Sequence, residues 1–385
     1  MNGKDAPKSG VGTSFGDISL SIGLMSGTSL DGIDVAAIRT DGKKAIQFGP
    51  AATFPYDKQF REKLRAVLGV DSLKNPETKS VEDELTDLHC AAVSGFLDMH
   101  EINPEEVSII GFHGHTVFHD PRSGITRQIG NAQKLANITG ISVVGDFRSK
   151  DVLAGGEGAP LVPIYHRALV NCMGGLESPV AVLNLGGIAN VTWVGPEREL
   201  DESGLLAFDT GPCNALLDDW VLEKTGKRFD EGGSLAMRGK ADMQIANSML
   251  AHPYFVKAFP KSLDRLDFTN DAIKHLSPED GAATLVRFIA GAVKNAESQL
   301  PQAPRCWVLT GGGCHNKALV EAFINTLSGA VIIADELGWD GDALEAQAFA
   351  YLAVRSTQGL PISFPGTTGV AQPISGGVRF DPSVN

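Results

Sequence analysis

The sequence predicts an α/β protein of two similar lobes with a cleft between them. Three observations predict it. Short apolar runs alternate with stretches of helical spacing, the rhythm of sheets covered by helices. A unit of strand, glycine-containing turn and strand occurs twice, at 18–39 and at 180–194. The chain has 385 residues, too many for one compact core and suited to about two domains.

The elements follow in order. Residues 18–24 (ISLSIGL) and 33–39 (IDVAAIR) are β-rich runs on either side of a polar turn, MSGTSLDG, and read as a hairpin. Residues 57–70 and 80–100 carry apolar positions near i, i+3 and i+4, for example Leu85, Leu88, Ala92, Val93 and Phe96, and read as amphipathic helices. A strand at 107–112 ends in His113-Gly114-His115, a short helix covers 131–139 and a strand 141–145. Strands at 180–185 and 188–194 flank Gly186-Gly187. A strand at 205–208 leads through Asp209-Thr210-Gly211-Pro212 into a helix from about 213 to 225. A long helix spans 282–299, and a strand at 305–310 ends in Gly311-Gly312-Gly313, with a helix after Asn316. A strand at 330–334 and a helix at 342–357 complete the pattern. The expected division is a polar tail at 1–17, a first lobe at 18–150, a second at 151–357, and a C-terminal segment at 358–385 free to return to the first lobe.

Composition narrows the function classes. With 43% hydrophobic and 21% charged residues, the chain is neither disordered nor fibrous. Its 33 Lys+Arg and 46 Asp+Glu give a net charge of −13, so no nucleic acid is expected as a partner. An anion can still be held locally by backbone N–H groups and a few placed cations. No run of about 18 apolar residues occurs, so no membrane partner is expected. The N-terminus lacks the apolar stretch of a secretory signal. Five cysteines, an odd number in no CxxC framework, suggest free thiols in a reducing compartment, hence a cytoplasmic protein. Glycine is enriched, at 44 of 385 residues, and gathers in turns beside apolar strands where a backbone can approach a ligand.

Six segments carry candidate chemistry. In IGLMSGTSLDGID (22–34), backbone amides and hydroxyls at Gly23, Ser26, Gly27, Thr28 and Ser29 can cradle phosphate oxygens. Asp31 and Asp34 nearby imply Mg²⁺ between carboxylate and phosphate, although turn propensity alone also explains these residue types. In AFDTGPCN (207–214), Asp209 stands at the end of a strand, either as a general base or as a helix cap, with Gly211 and Asn214 beside it. In LTGGGCHN (309–316), Gly311, Gly312 and Gly313 let a flat ring lie on the backbone and Asn316 offers a donor and an acceptor, or the segment is a plain strand-to-helix turn. His113, His115 and His119 more readily line a polar cleft than bind metal, because Gly114 interrupts any helical presentation. Arg148, flanked by Asp146 and Asp151, is either a clamp for an anionic substrate group or part of an ion pair at a domain junction. Glu345 lies one turn from Asp342 on a helix with a face of Ala343, Ala346, Ala350 and Ala353 that permits close packing; alone it reads as a surface carboxylate.

Taken together, these segments resemble the anhydro-N-acetylmuramic acid kinases, of the superfamily that holds sugar kinases, actin and heat-shock ATPases. IGLMSGTSLDGID (22–34), HGHT (113–116), QIG (128–130), GDFRSKD (145–151), GGEGAPLVP (155–163), NLGGIANVT (184–192), FDTGPCN (208–214), LTGGGCHN (309–316) and DALEAQAFA (342–350) carry the resemblance. His115 stands where the family usually has Gln, and Glu157 likewise. The resemblance implies a two-lobed actin-like ATPase (ribonuclease H-like) fold with the active site in the interdomain cleft. It implies an ATP-dependent kinase that opens the anhydro ring of 1,6-anhydro-N-acetylmuramic acid with water and phosphorylates O6, in murein recycling. It assigns catalysis to Asp209 and Glu345, and substrate contacts to Arg148, His113, His115 and Thr116. ATP falls to the 23–32 hairpin including Asp31 and Gly32, to Gly186, Gly187, Gly211 and Asn214, and to the 311–316 turn; Mg²⁺ falls to Asp34 through water. A homodimer is the expected assembly. A conventional sugar kinase of the superfamily and a nucleotide-regulated binding protein are the competing readings; the sequence carries no long hydrophobic insertion to favour the latter.

Overall fold

The computed structural model describes residues 18–27, 30–69, 75–172, 174–196, 204–263 and 267–383. Two sheets organise the molecule. The first is built from β1 (Ser19–Met25), β2 (Gly32–Thr40), β3 (Ile46–Pro55), β4 (Val107–Phe112) and β7 (Val143–Gly145). Between these strands come α1 (Lys58–Ala66), α2 (Pro76–Met99), a separate ribbon of β5 (His115–Asp120) and β6 (Ile125–Ile129), and α3 (Ala132–Thr139). Two helices, α4 (Ser149–Leu153) and α5 (Pro163–Cys172), lead to the second sheet. That sheet comprises β8 (Val180–Leu185), β9 (Ile188–Val194), β10 (Leu205–Pro212), β11 (Cys306–Thr310) and β12 (Ala330–Ile333). Helices α6 (Asn214–Thr225), α7 (Met243–Leu250), α8 (Pro278–Glu297) and α9 (Lys317–Thr326) cover it, and α10 (Leu344–Thr357) and β13 (Val378–Phe380) end the chain's regular structure.

The two sheets share one plan. In the first the order is β3-β2-β1-β4-β7, and in the second β10-β9-β8-β11-β12. Each opens with three antiparallel strands and continues with two parallel ones beside the first strand. This duplicated order is the ribonuclease H-like plan of two actin-like lobes. The final strand, β13, returns to the first sheet and pairs antiparallel with β7.

Local chemistry sets the helix boundaries. Asn75 caps α2 by accepting from Glu77 N at 2.9 Å, and Ser277 caps α8 by accepting from Asp280 N at 3.1 Å, each followed by proline at the first helical position. Helix α2 buries Leu85, Val93 and Phe96 on the face the periodicity predicts. Helix α10 lies between the sheets: one cluster joins its Phe349, Ala350, Tyr351 and Leu352 to Ile38 and Ile109 of the first and Val180, Val182 and Val308 of the second. Glycines make the approach possible. A Cβ on Gly23 would land on the carbonyl oxygen of Ala346, and one on Gly111 on that of Phe349.

Two expectations need correcting. The strand expected to end at residue 208 runs to Pro212, because β9 stays paired with it across a bulge between Asp209 and Gly211. The β5–β6 ribbon was not foreseen, as its polar, histidine-rich strands lack a clean apolar alternation. Among the described residues no helix is long and apolar enough to cross a membrane. The tail at 1–17, and Thr28 and Ser29 of the hairpin turn, lie outside the described residues.

Candidate active site

The β1–β2 tip is braced from beneath. The Ser26 hydroxyl is buried and shares hydrogen bonds with Tyr56 OH at 2.7 Å and His115 Nδ1 at 2.9 Å. It therefore holds the turn rather than facing a ligand. Tyr56 also donates its amide to Asp31 O at 3.0 Å, and Leu30 N closes the turn onto Gly27 O at 3.1 Å. Burial pushes the His115 imidazole down to about 4, so it is neutral at physiological pH. Thr116 is occupied within the ribbon, its hydroxyl accepting from Gln128 Nε2 at 3.2 Å. Gly23 and Gly32 serve packing, beneath α10 and against the Phe54 carbonyl respectively.

Beside this tip the structure gathers carboxylates. Asp34 accepts from Thr53 Oγ1 at 2.6 Å. Its carboxyl is pushed up by burial and further by the charges of Asp31, Asp342 and Asp340, with the Thr53 bond opposing. Glu345, in the first turn of α10, keeps an exposed surface; the protein around it raises its carboxyl, Arg148 draws it back and Asp34 raises it again. The sequence reading missed Asp340, although the DGD run at 340–342 signalled it.

Arg148 is held in place by neutral groups. Its Nε donates to His113 Nε2 at 3.0 Å and its Nη1 to Gly158 O at 2.7 Å. His113 Nδ1 donates in turn to Gly114 O at 2.9 Å, the tautomer that leaves Nε2 free to accept. Burial and the Arg148 charge hold His113 well below its ordinary pKa. Asp151 is not the arginine's hydrogen-bond partner; its two oxygens take Gly158 N and Thr368 Oγ1, each at 2.6 Å. The histidines thus serve three purposes: His113 orients Arg148, His115 braces Ser26, and His119 pairs with Thr126 Oγ1 at 3.0 Å.

Asp209 stands on β10 of the other sheet. Cys213, not Asp209, occupies the position before α6, so the capping alternative fails. Leu263 N donates to Asp209 Oδ2 at 2.9 Å, while Oδ1 has no hydrogen-bond partner among the described residues. Burial raises the carboxyl to about 6, against the pull of the Leu263 amide. The strap that supplies this amide, 254–263, was invisible in the sequence: its residues pair with Asp209 only through the backbone and one tyrosine hydroxyl.

Two glycine turns meet near the start of α6. The carbonyls of Gly186 and Gly187 accept from Asn214 N at 3.1 Å and Cys213 N at 3.0 Å. Asn214 Nδ2 donates to Leu185 O at 2.7 Å. The 311–313 turn lies so close that a Cβ on Gly313 would stand 2.6 Å from Leu185 Cβ, and Gly311 adopts φ +81°. Asn316 Oδ1 caps α9 through Leu319 N at 3.2 Å. Gly211 is packed against Ala292 and Phe255. Glu345, Arg148 and Asp34 are thus brought together, whereas among the described residues burial and the Leu263 amide are what act on the Asp209 carboxyl.

Comparison with known proteins identifies the family. A family model described as anhydro-N-acetylmuramic acid kinase matches residues 19–382. The anhydro-N-acetylmuramic acid kinase of Rhizorhabdus wittichii is 48% identical over 368 residues, covering 94% of this chain and 99% of its own. That of Paramagnetospirillum magneticum is 49% identical over 366 residues, covering 94% and 100%. A solved ROK family glucokinase from Streptomyces griseus aligns over 87% of this chain and 99% of its own, at 13% identity and a TM-score of 0.41.

Proposed function

The chain belongs to the anhydro-N-acetylmuramic acid kinase family, and on that premise we propose how its cleft carries out the reaction. The activity is that of a murein-recycling kinase: ATP, water and 1,6-anhydro-N-acetylmuramic acid give ADP and N-acetylmuramic acid 6-phosphate. Water adds to C1, O6 leaves C1, and O6 takes the γ-phosphoryl group while ADP departs.

The observation that carries the residue assignment is the state of Asp209. A carboxyl raised to about 6 is half or more ionised at neutral pH and yet basic enough to accept a proton. Leu263 fixes Oδ2, and Oδ1, without a hydrogen-bond partner among the described residues, takes the proton of the attacking water. Glu345 helps hold that water. A carboxylate activating water opposite a departing sugar oxygen follows the logic of inverting glycosidases. No general acid is needed, because the phosphoryl group takes the charge of O6. Arg148, pre-set by His113 and Gly158, pairs with the substrate's lactyl carboxylate. Residues of the β1–β2 turn, Thr28 and Ser29 among them, would hold the phosphates, and the turns at 186–187 and 311–313 would seat the nucleotide. Asp209 stands on β10 and Glu345 on α10, and bound substrate and nucleotide act as the bridge between them.

The donor set suits Mg²⁺. Among the described residues no three acidic, His or Cys side chains could by themselves hold a metal ion. Mg²⁺ instead takes one or two carboxylates, waters and substrate phosphates. The mutual repulsion around Asp34 is what a divalent cation relieves. Asp34 would hold it, through water, and the ion would neutralise charge on the transferring phosphates. The same proposal places the enzyme in the cytoplasm, where ATP is available and the five free cysteines stay reduced, and expects a homodimer, which sedimentation would test.

A coupled ADP-release assay with Mg-ATP tests the reading. Turnover with 1,6-anhydro-N-acetylmuramic acid and none with ring-opened N-acetylmuramic acid is expected. Turnover with the open sugar alone would remove the need for activated water and refute the role of Asp209.

A further inference from the structure

Asp209 occupies an exposed edge made safe by a strap. β10 is the last strand of its sheet, and β9 pairs with it on one side only. The other edge would present unpaired backbone groups to the cleft. The strap covers it: Asp209 N donates to Lys261 O at 3.1 Å, and Tyr254 OH donates to Asp209 O at 2.6 Å. Both main-chain groups of the catalytic aspartate are therefore held by residues well beyond it in the chain. They are held at the bulge between Asp209 and Gly211, where the ladder with β9 is broken and the strand is least determined.

The strap itself is firmly seated. Phe259 stacks on Phe208 with ring centroids 5.2 Å apart. Lys261 Nζ donates to Lys257 O at 3.1 Å and to Gln299 Oε1 at 3.0 Å, with its charge 5.0 Å from the centre of the Tyr254 ring. Tyr254 is buried and packs edge-on against Phe255 and Phe268. Its hydroxyl therefore has little freedom and sits on a rigid base.

We infer that Tyr254 is a positioning residue for catalysis: its hydroxyl fixes the Asp209 peptide at the β-bulge and so aims the carboxylate at the attacking water. This inference rests on the reading of Asp209 as the base. Displacing a reacting group by a fraction of an ångström slows a reaction far more than the strength of one hydrogen bond to its backbone would suggest.

The test is Tyr254→Phe, which removes one oxygen and keeps the ring, measured alongside Asp209→Asn. The single variant is expected to lose on the order of tenfold to a hundredfold in kcat, with KM for Mg-ATP within about twofold of wild type. Its acid limb in the pH–rate profile should shift, because the carboxyl moves relative to its surroundings. KM for the anhydro sugar should likewise stay near wild type, since Tyr254 acts only through Asp209. Wild-type kcat and pH profile in Tyr254→Phe, with Asp209→Asn inactive, would overturn the role of Tyr254 and leave the base assignment standing. A fall in kcat with an unshifted pH profile, matched by a fall in melting temperature, would also overturn it, as the mark of a purely structural tyrosine. Full activity in Asp209→Asn would refute the base itself.

Discussion

Replacing Asp209 by asparagine should abolish turnover and, at the same time, stabilise the fold above pH 6. The reason is the carboxyl's position: folding carries it from 3.8 in the exposed chain to about 6. A raised carboxylate pKa means the folded protein binds that proton more tightly than the unfolded chain does. At pH 7 both states are largely ionised, and the folded state carries the burden of a half-buried charge. The shift of about two units corresponds to about 3 kcal/mol as an upper bound, and water reaching the carboxyl reduces this to about 1–2 kcal/mol. Asparagine avoids the charge, keeps the shape and can still accept from Leu263 N. The gain should be absent below about pH 4, where both states are protonated, grow between pH 4 and 6, and hold above. At roughly 2–4 °C per kcal/mol, that predicts a melting temperature higher by about 2–8 °C at pH 7. Thermal melts of both proteins from pH 4 to 8, alongside ADP release, measure it. A variant that is no more stable at pH 7 than at pH 4 would refute the burial argument, and one that retains turnover would refute the catalytic one.

Three further outcomes are expected. Gly23→Ala should destabilise the protein by at least about 2 kcal/mol and depress activity, because the new methyl meets the Ala346 carbonyl in the helix that carries Glu345; an unchanged melting temperature would contradict that packing. Arg148→Lys should raise KM for the anhydro sugar by about tenfold or more while sparing KM for ATP, since an ammonium cannot reproduce the bonds to both His113 and Gly158 and still present a fork; initial rates with each substrate varied in turn decide it. Titration of the native protein with an aromatic disulfide at pH 8 should show one fast thiol, the exposed Cys172, because burial raises Cys90 to about 11 and Cys213 and Cys314 to about 12; several fast thiols would argue against this core.

Much of the fold was legible in the chain because its signals are local. The hairpin around 22–34 and the long helix with Leu85, Val93 and Phe96 inward each follow from spacing within one segment, although the capped starts of α2 and α8 lie four residues earlier than that spacing gave. The β5–β6 ribbon escaped because its strands are short and polar and are stabilised by the pairs they form. The site divides in the same way. Asp34, Arg148, Asp209 and Glu345 were visible as charged residues beside glycine turns. Their states were not: His113 and Ser26 read as ligand contacts, and the structure turns both inward to hold Arg148 and the hairpin tip.

By itself, the sequence determined many of the strands and helices, the repeated strand–turn–strand unit and the family, since periodicity, turns and motifs reside in neighbouring residues. Only the tertiary structure decided the chemical state of the site. The pKa of a carboxyl depends on what surrounds it, and for Asp209 that surrounding is a strap 45 to 54 residues further along the chain, at Tyr254 and Leu263. The seat of Glu345 likewise depends on Gly23, more than 300 residues earlier, where the lack of one methyl lets α10 rest on the sheet. Burial, hydrogen-bond direction and close approach are properties of atoms brought together by folding, and linear spacing carries no measure of them.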